Sequence, residues 1–163
     1  MREFYSPPLT LRGGHAPPVR PVQIVFDARD TQRLASFWAG ALADRGYRLP
    51  TPPDGVPDWP TWLRAQGVPE DQWGAGFALE NDDPSQPRIY LQRVPEAKTA
   101  KNRVHLDLLA GGGSEVPLPE QETRVAAAVE RLTALGATHV QTTTELGVHW
   151  AVMQDPEGNE FCA

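Results

Sequence analysis

The chain has 163 residues, 40% of them hydrophobic, and carries a formal net charge of -6 with a pI near 5.2. That length holds one ordinary domain, or two half-size modules sharing a core. The acidic balance, with Lys and Arg scattered apart from a weak Lys98-Lys101-Arg103 group, argues against nucleic acid as a partner.

No apolar run approaches the ~20 residues needed to span a bilayer, and the proline-rich start lacks the apolar stretch of a signal peptide. The single cysteine, Cys162, has no internal disulfide partner, which fits a reducing compartment. A soluble cytoplasmic protein with no membrane contact is expected.

Residues 1–21 carry Pro7, Pro8, Pro17, Pro18 and Pro21 with Gly13-Gly14, so an extended N-terminal arm is expected there, with His15 lacking an obvious partner. The β-branched stretch Val22 to Ala28 predicts a buried strand, and Asp30 is a good N-cap for a following helix. Arg33 cannot complete a capping box. Leu34, Phe37, Trp38, Ala41 and Leu42 recur at helical spacing, and Gly46 supplies a left-handed stop before a strand from Tyr47 to Leu49.

Residues 50–74 break the pattern with a Pro-rich insertion around Trp59, Trp62 and Trp73, with a short helix expected near Trp62 to Gln66. Its three tryptophans need something to cover: a cleft, a partner chain, or the insertion's own proline turns. Gly76 to Glu80 and Arg88 to Val94 read as strands joined by a polar turn, completing a β-α-β-β-β order over about 22–95.

The order repeats over about 102–163. Arg103 to Leu109 reads as a strand, Gly111-Gly112-Gly113-Ser114 as a flexible loop, and Glu120 to Leu135 as a helix with Val125, Val129 and Leu132 on one face, ended by Gly136. Thr138 to Thr144 and Val148 to Gln154 predict a hairpin around Leu146-Gly147, and Glu160 to Cys162 a last strand. Two matching modules are the economical reading; the alternative is one α+β domain with a chance echo. Trp38 and Trp150 are expected in the core, and His139 and His149 at the surface or a strand edge.

The ending Asp155-Pro156-Glu157-Gly158-Asn159-Glu160-Phe161, the Lys101-Asn102-Arg103-Val104-His105-Leu106-Asp107 stretch and the Asp27-Ala28-Arg29-Asp30…Phe37-Trp38 unit together resemble the vicinal oxygen chelate superfamily. This is the glyoxalase, bleomycin-resistance and extradiol-dioxygenase group, and the likeness is greatest to its glyoxalase-like branch. The resemblance implies an α+β fold in which two βαβββ modules form an incompletely closed, mainly antiparallel sheet around a cleft. It also implies a small-molecule ligand and a homodimer.

By the same resemblance, metal ligands would come from the first and last strands of each module. Gln23 lies seven positions before Asp30 and fourteen before Phe37, the family spacing of a first ligand, and His105 falls where metalloenzymes of the group carry histidine. The fourth position, seven residues after Asp155, holds Cys162 where relatives have glutamate. On the remaining strand Tyr90 and Gln92 share a face, and neither is the usual carboxylate; Glu160 shares parity with Cys162 and offers a substitute.

The candidate metal set is therefore Gln23, Gln92, His105, Cys162 and Glu160, for one divalent ion such as zinc, nickel, manganese or iron. Its donors are weak enough that no metal is the favoured expectation. His105 with Asp107 forms a candidate acid-base pair. Cys162 has no flanking cation and reads as a small buried hydrophobe rather than a reactive thiol. Gln23, Tyr90, Gln92, His105, Trp59 and Trp62 are candidate ligand contacts.

The resemblance implies a glyoxalase-like small-molecule-binding protein, with two alternatives: a metal-dependent isomerase, lyase or dioxygenase acting on vicinal oxygens, or a drug-sequestering protein of bleomycin-resistance type. The His105-Asp107 pair adds a metal-free acid-base enzyme.

Overall fold

The computed structural model describes residues 22–163. The arm expected over 1–21 lies outside the described residues. Strand β1 (Gln23–Ala28) alternates Gln23, Val25 and Asp27 on an exposed face with Ile24, Phe26 and Ala28 on a covered one. The Asp30 carboxylate then accepts from Arg33 N at 2.9 Å and starts α1 (Thr31–Ala41), whose Leu34, Phe37, Trp38 and Ala41 are buried as the helical spacing predicts.

A 3-10 turn, Ala43–Arg45, ends on Gly46 at φ 78 and leads into the two-residue β2 (Tyr47–Arg48). The insertion carries a short α2 (Trp59–Ala65), capped by Asp58 accepting from Thr61 N at 2.7 Å. Strands β3 (Gly76–Asn81) and β4 (Arg88–Arg93) complete a sheet of order β1-β4-β3-β2, in which β1 runs parallel to β4 and the other pairs are antiparallel.

In the second half, α3 (Leu118–Ala134) is followed by β5 (Thr138–Glu145), β6 (Val148–Gln154) and β7 (Glu160–Cys162) in an antiparallel sheet of order β5-β6-β7. The strand expected over Arg103 to Leu109 forms only in part. Asp107 makes an isolated parallel bridge to Cys162, held by Leu108 N to Cys162 O and Cys162 N to Leu106 O, both 2.9 Å. Two causes shorten it: Asn102 N donates to the Glu160 carboxylate at 3.0 Å instead of to a ladder, and Leu109 turns to φ 49.

This bridge nonetheless lies beside the last strand in parallel, as β1 lies beside β4. The two halves thus share one topology, and neither sheet closes into a barrel.

One core joins the halves. Trp38 packs at 5.0 Å from Phe26, 5.3 Å from Phe37 and 5.2 Å from Phe161, so residues of β1, α1 and β7 meet in a single aromatic cluster. Trp150, expected in the core, is instead half-buried on the other face of β6. Ala151 and Met153 are the fully covered residues of that strand, because their parity aims at α3.

The terminal turn ties down this core. Asp155, only 3% exposed, accepts from Glu157 N and Asn159 N at 2.9 Å, Asn159 Nδ2 at 2.8 Å and Trp38 Nε1 at 3.3 Å. Glu157 reaches back across the halves to Arg29 N and Asp30 N, with contacts of 2.7 to 3.0 Å ahead of α1.

Candidate functional site

The side chains that come together lie on the open face of the second sheet. His105 and Asp107 alternate with Leu106 and Leu108, so the apolar pair packs inward while the imidazole and carboxylate stand out beside Cys162. His105 Nε2 is 3.3 Å from Asp107 Oδ1, and one donor atom from each of His105, Asp107 and Cys162 lies within 4.8 Å of the others.

The three residues line a cavity of about 350 Å³ walled by Gly111, Gly112, Gly113, Val148, Trp150 and Leu109. Gly111 allows the wall to close up, since a Cβ there would stand 3.0 Å from the His149 carbonyl. Burial pushes the Cys162 thiol up to about 11, and the neighbouring Asp107 charge adds to it, so the thiol is protonated at neutral pH.

The expected five-residue metal set divides. Only His105 and Cys162 meet, and they are joined by Asp107, which the sequence offers as an acid-base partner rather than a ligand. Gln23 stays on the first sheet, where its Oε1 accepts from Arg88 Nη1 at 3.1 Å and its strand neighbour across β4 is Arg88. Gln92 lies on the same sheet, opposite Asp27. Glu160 is turned away, its carboxylate held by Lys98 Nζ at 2.9 Å and Asn102 N at 3.0 Å, which lowers its carboxyl to about 2.

The glycine loop and Trp150 stand on the cavity wall although the sequence does not single them out as site residues. The three glycines directly after the His105 stretch are the signal that could have marked a close-packed wall.

A second cavity, of about 150 Å³, sits on the open face of the first sheet beneath the insertion. Trp59 and Trp73 wall it and Tyr90 lines it, while Trp62 meets Trp59 edge-on at 5.6 Å without lining the cavity itself. The two cavities share no lining residue. His139 is exposed and bonds Thr142, and His149 pairs with Thr144 at the strand pair.

Residues 23–163 match the sequence profile of the glyoxalase-like domain. The chain belongs to the glyoxalase-like domain family. That family lies within the vicinal oxygen chelate superfamily, in agreement with the resemblance read from the terminal turn and the His105 stretch. No curated protein matches the chain.

Among solved structures, the glyoxalase-like chain is similar to a glyoxalase/bleomycin resistance protein/dioxygenase family enzyme from Burkholderia phytofirmans. The identity is 16%, with a TM-score of 0.51 over 86% of this chain and 93% of that one. A hypothetical protein from S. aureus is similar at 15% identity and a TM-score of 0.50, over 86% of this chain and 92% of the other. At these identities the likeness is one of fold.

His105, Asp107 and Cys162 offer imidazole, carboxylate and thiol donors. This set suits a borderline ion such as zinc better than magnesium or calcium, which take oxygen donors alone. Three protein donors on an open cavity also match the ligand count of a metal site that keeps a position free.

Proposed function

We propose that this protein binds an oxygen-bearing small molecule in the cavity over His105, Asp107 and Cys162, with a divalent ion, zinc by donor type, held by those three residues. The observation that carries the reading is the convergence of three different donors on the wall of one cavity. A bound ion would polarise an oxygen of the ligand. In this reading the chain's own residues orient the ligand: Trp150 and Val148 supply apolar area, and the glycine loop lets it approach the backbone closely.

A second reading is favoured by the 3.3 Å contact of His105 with Asp107. Without a metal, Asp107 would orient the imidazole, which could then take or give a proton at the cavity wall. Division into two modules near residues 95–102, a homodimer and a cytoplasmic setting belong to both readings. Support for self-association is the exposure of Val104 and Leu109, 82% and 74%, with Leu109 at the cavity. Among the described residues no helix is long and apolar enough to cross a membrane.

The test is metal content of untagged protein by mass spectrometry, after incubation with zinc and after none. A stoichiometric ion that is lost in His105→Ala and Cys162→Ala but kept in Gln23→Ala is the expected result. An ion kept in all three variants refutes this donor set, and no uptake of zinc moves the weight to the metal-free reading.

A further inference from the structure

We propose that the slot beneath the Trp-rich insertion is a second small-molecule site, separate from the His105 cavity, and that it takes a single-ring aromatic carboxylate. Its size sets the first limit. The slot measures about 150 Å³, and an apolar cavity of roughly that volume holds one benzene ring.

Its walls set the second. The indole N–H of Trp59 donates to Pro50 O at 3.1 Å and that of Trp73 to Val68 O at 2.9 Å, so both groups are already satisfied. What these side chains offer a ligand is ring surface, and Trp62, nearly perpendicular to Trp59 at 86°, props that ring in place.

The polar end of the slot sets the third. Arg88 stacks over Tyr90 at 5.5 Å and donates to the neutral Gln23 amide, but among the described residues it meets no carboxylate. Glu80, which also lines the slot, is paired instead with Arg48 at 3.3 Å. A half-buried guanidinium with no counter-charge among the described residues, at the edge of an apolar slot, is matched by an anion of planar, two-oxygen form.

The Tyr90 hydroxyl makes no hydrogen bond among the described residues and is a further donor for such a group. Its position depends on Gly76: a Cβ there would lie 1.9 Å from the phenol oxygen. Glycine at that place on β3 lets the Tyr90 ring lie across the sheet face and line the slot.

Calorimetric titration of the full chain with benzoate, and with its neutral isostere benzamide, tests the assignment. Saturable benzoate binding is expected, with benzamide weaker by about tenfold, the usual worth of one charge-assisted hydrogen bond. Arg88→Gln should bring benzoate down to the benzamide level. Ala78→Leu, which fills the slot, should abolish both, with its thermal midpoint checked to verify folding, and His105→Ala should change neither.

No benzoate binding up to millimolar concentration, equal binding of the two compounds, or an Arg88→Gln variant that binds benzoate as the parent does would each overturn the proposal. So would benzoate binding that survives Ala78→Leu. Loss of benzoate binding in a folded His105→Ala variant would move the ligand to the other cavity and equally refute the slot.

Discussion

Asp155 ties the terminal turn to the core through four hydrogen bonds to its carboxylate. Burial pushes its carboxyl above the ordinary range, while hydrogen bonds from Asn159, Glu157 and Trp38 draw it back. The Trp38 contact makes it a keystone, because that indole stands at the centre of the cluster joining both sheets. Asp155→Asn keeps the shape but turns an amide N–H₂ toward groups that are themselves donors, Trp38 Nε1 and Asn159 Nδ2 in one orientation, the Glu157 and Asn159 amides in the other. A loss of about 2–3 kcal/mol is expected, the scale of a buried polar group left unsatisfied. Urea denaturation followed by tryptophan fluorescence reads it; an unchanged midpoint would mean the turn, not the carboxylate, holds the core.

The β5–β6 hairpin, among the elements, turns on Leu146-Gly147, with φ 50 and 78, a two-residue loop that asks for positive φ at both places. Leucine is poorly suited to that region and here is 100% exposed, so nothing is gained by packing. Leu146→Asn should stabilise the chain by about 0.5–1 kcal/mol, seen as a higher urea midpoint with the slope unchanged. A lower midpoint would show that Leu146 is covered by something outside the described residues. This hairpin was legible in the sequence because two runs flank a two-residue turn, and α1 was legible because Asp30 precedes a helical apolar stripe. The Arg103 to Leu109 stretch alternates as well as any strand, yet alternation says nothing about whether a ladder partner exists on each side. Trp150 was misplaced for a related reason: on β6 both alternating sets, Val148, Trp150 and Val152 against Ala151 and Met153, are apolar, so parity alone cannot choose the core face. For the site, His105 and Cys162 were readable from family spacing. That Asp107 joins them was not, since it rests on the isolated bridge that sets Asp107 beside Cys162, and neither was the separation of Gln23 and Gln92, which depends on how two sheets are set beside each other.

At the scale of the whole molecule, the halves are locked by a few contacts between distant segments. Arg131 Nη1 donates to Gly40 O at 3.1 Å, Glu157 holds the amides ahead of α1, and Glu160 pins the connector between halves through Lys98 and Asn102. The Glu160 tie has a pH signature. The Asn102 amide, then Lys98, lowers its carboxyl from an ordinary 4.5 to about 2. A carboxyl lower in the folded chain than in the unfolded one contributes stability above 4.5, and that contribution is lost as pH falls toward 2. With side chains 17–18% exposed, solvent screening reduces the full effect to roughly 1–2 kcal/mol. Chelator-treated Glu160→Gln should therefore be less stable than the parent by that amount at neutral pH, and the gap should close progressively below pH 4.5. The raised carboxyl of Asp155 runs in the opposite direction but is common to both proteins, so it cancels in the difference. Chemical denaturation of the pair at stepped pH reads the gap directly. A gap that stays constant from neutral pH to pH 2 would assign Glu160 a packing role in the connector and remove its charge from the lock between the halves.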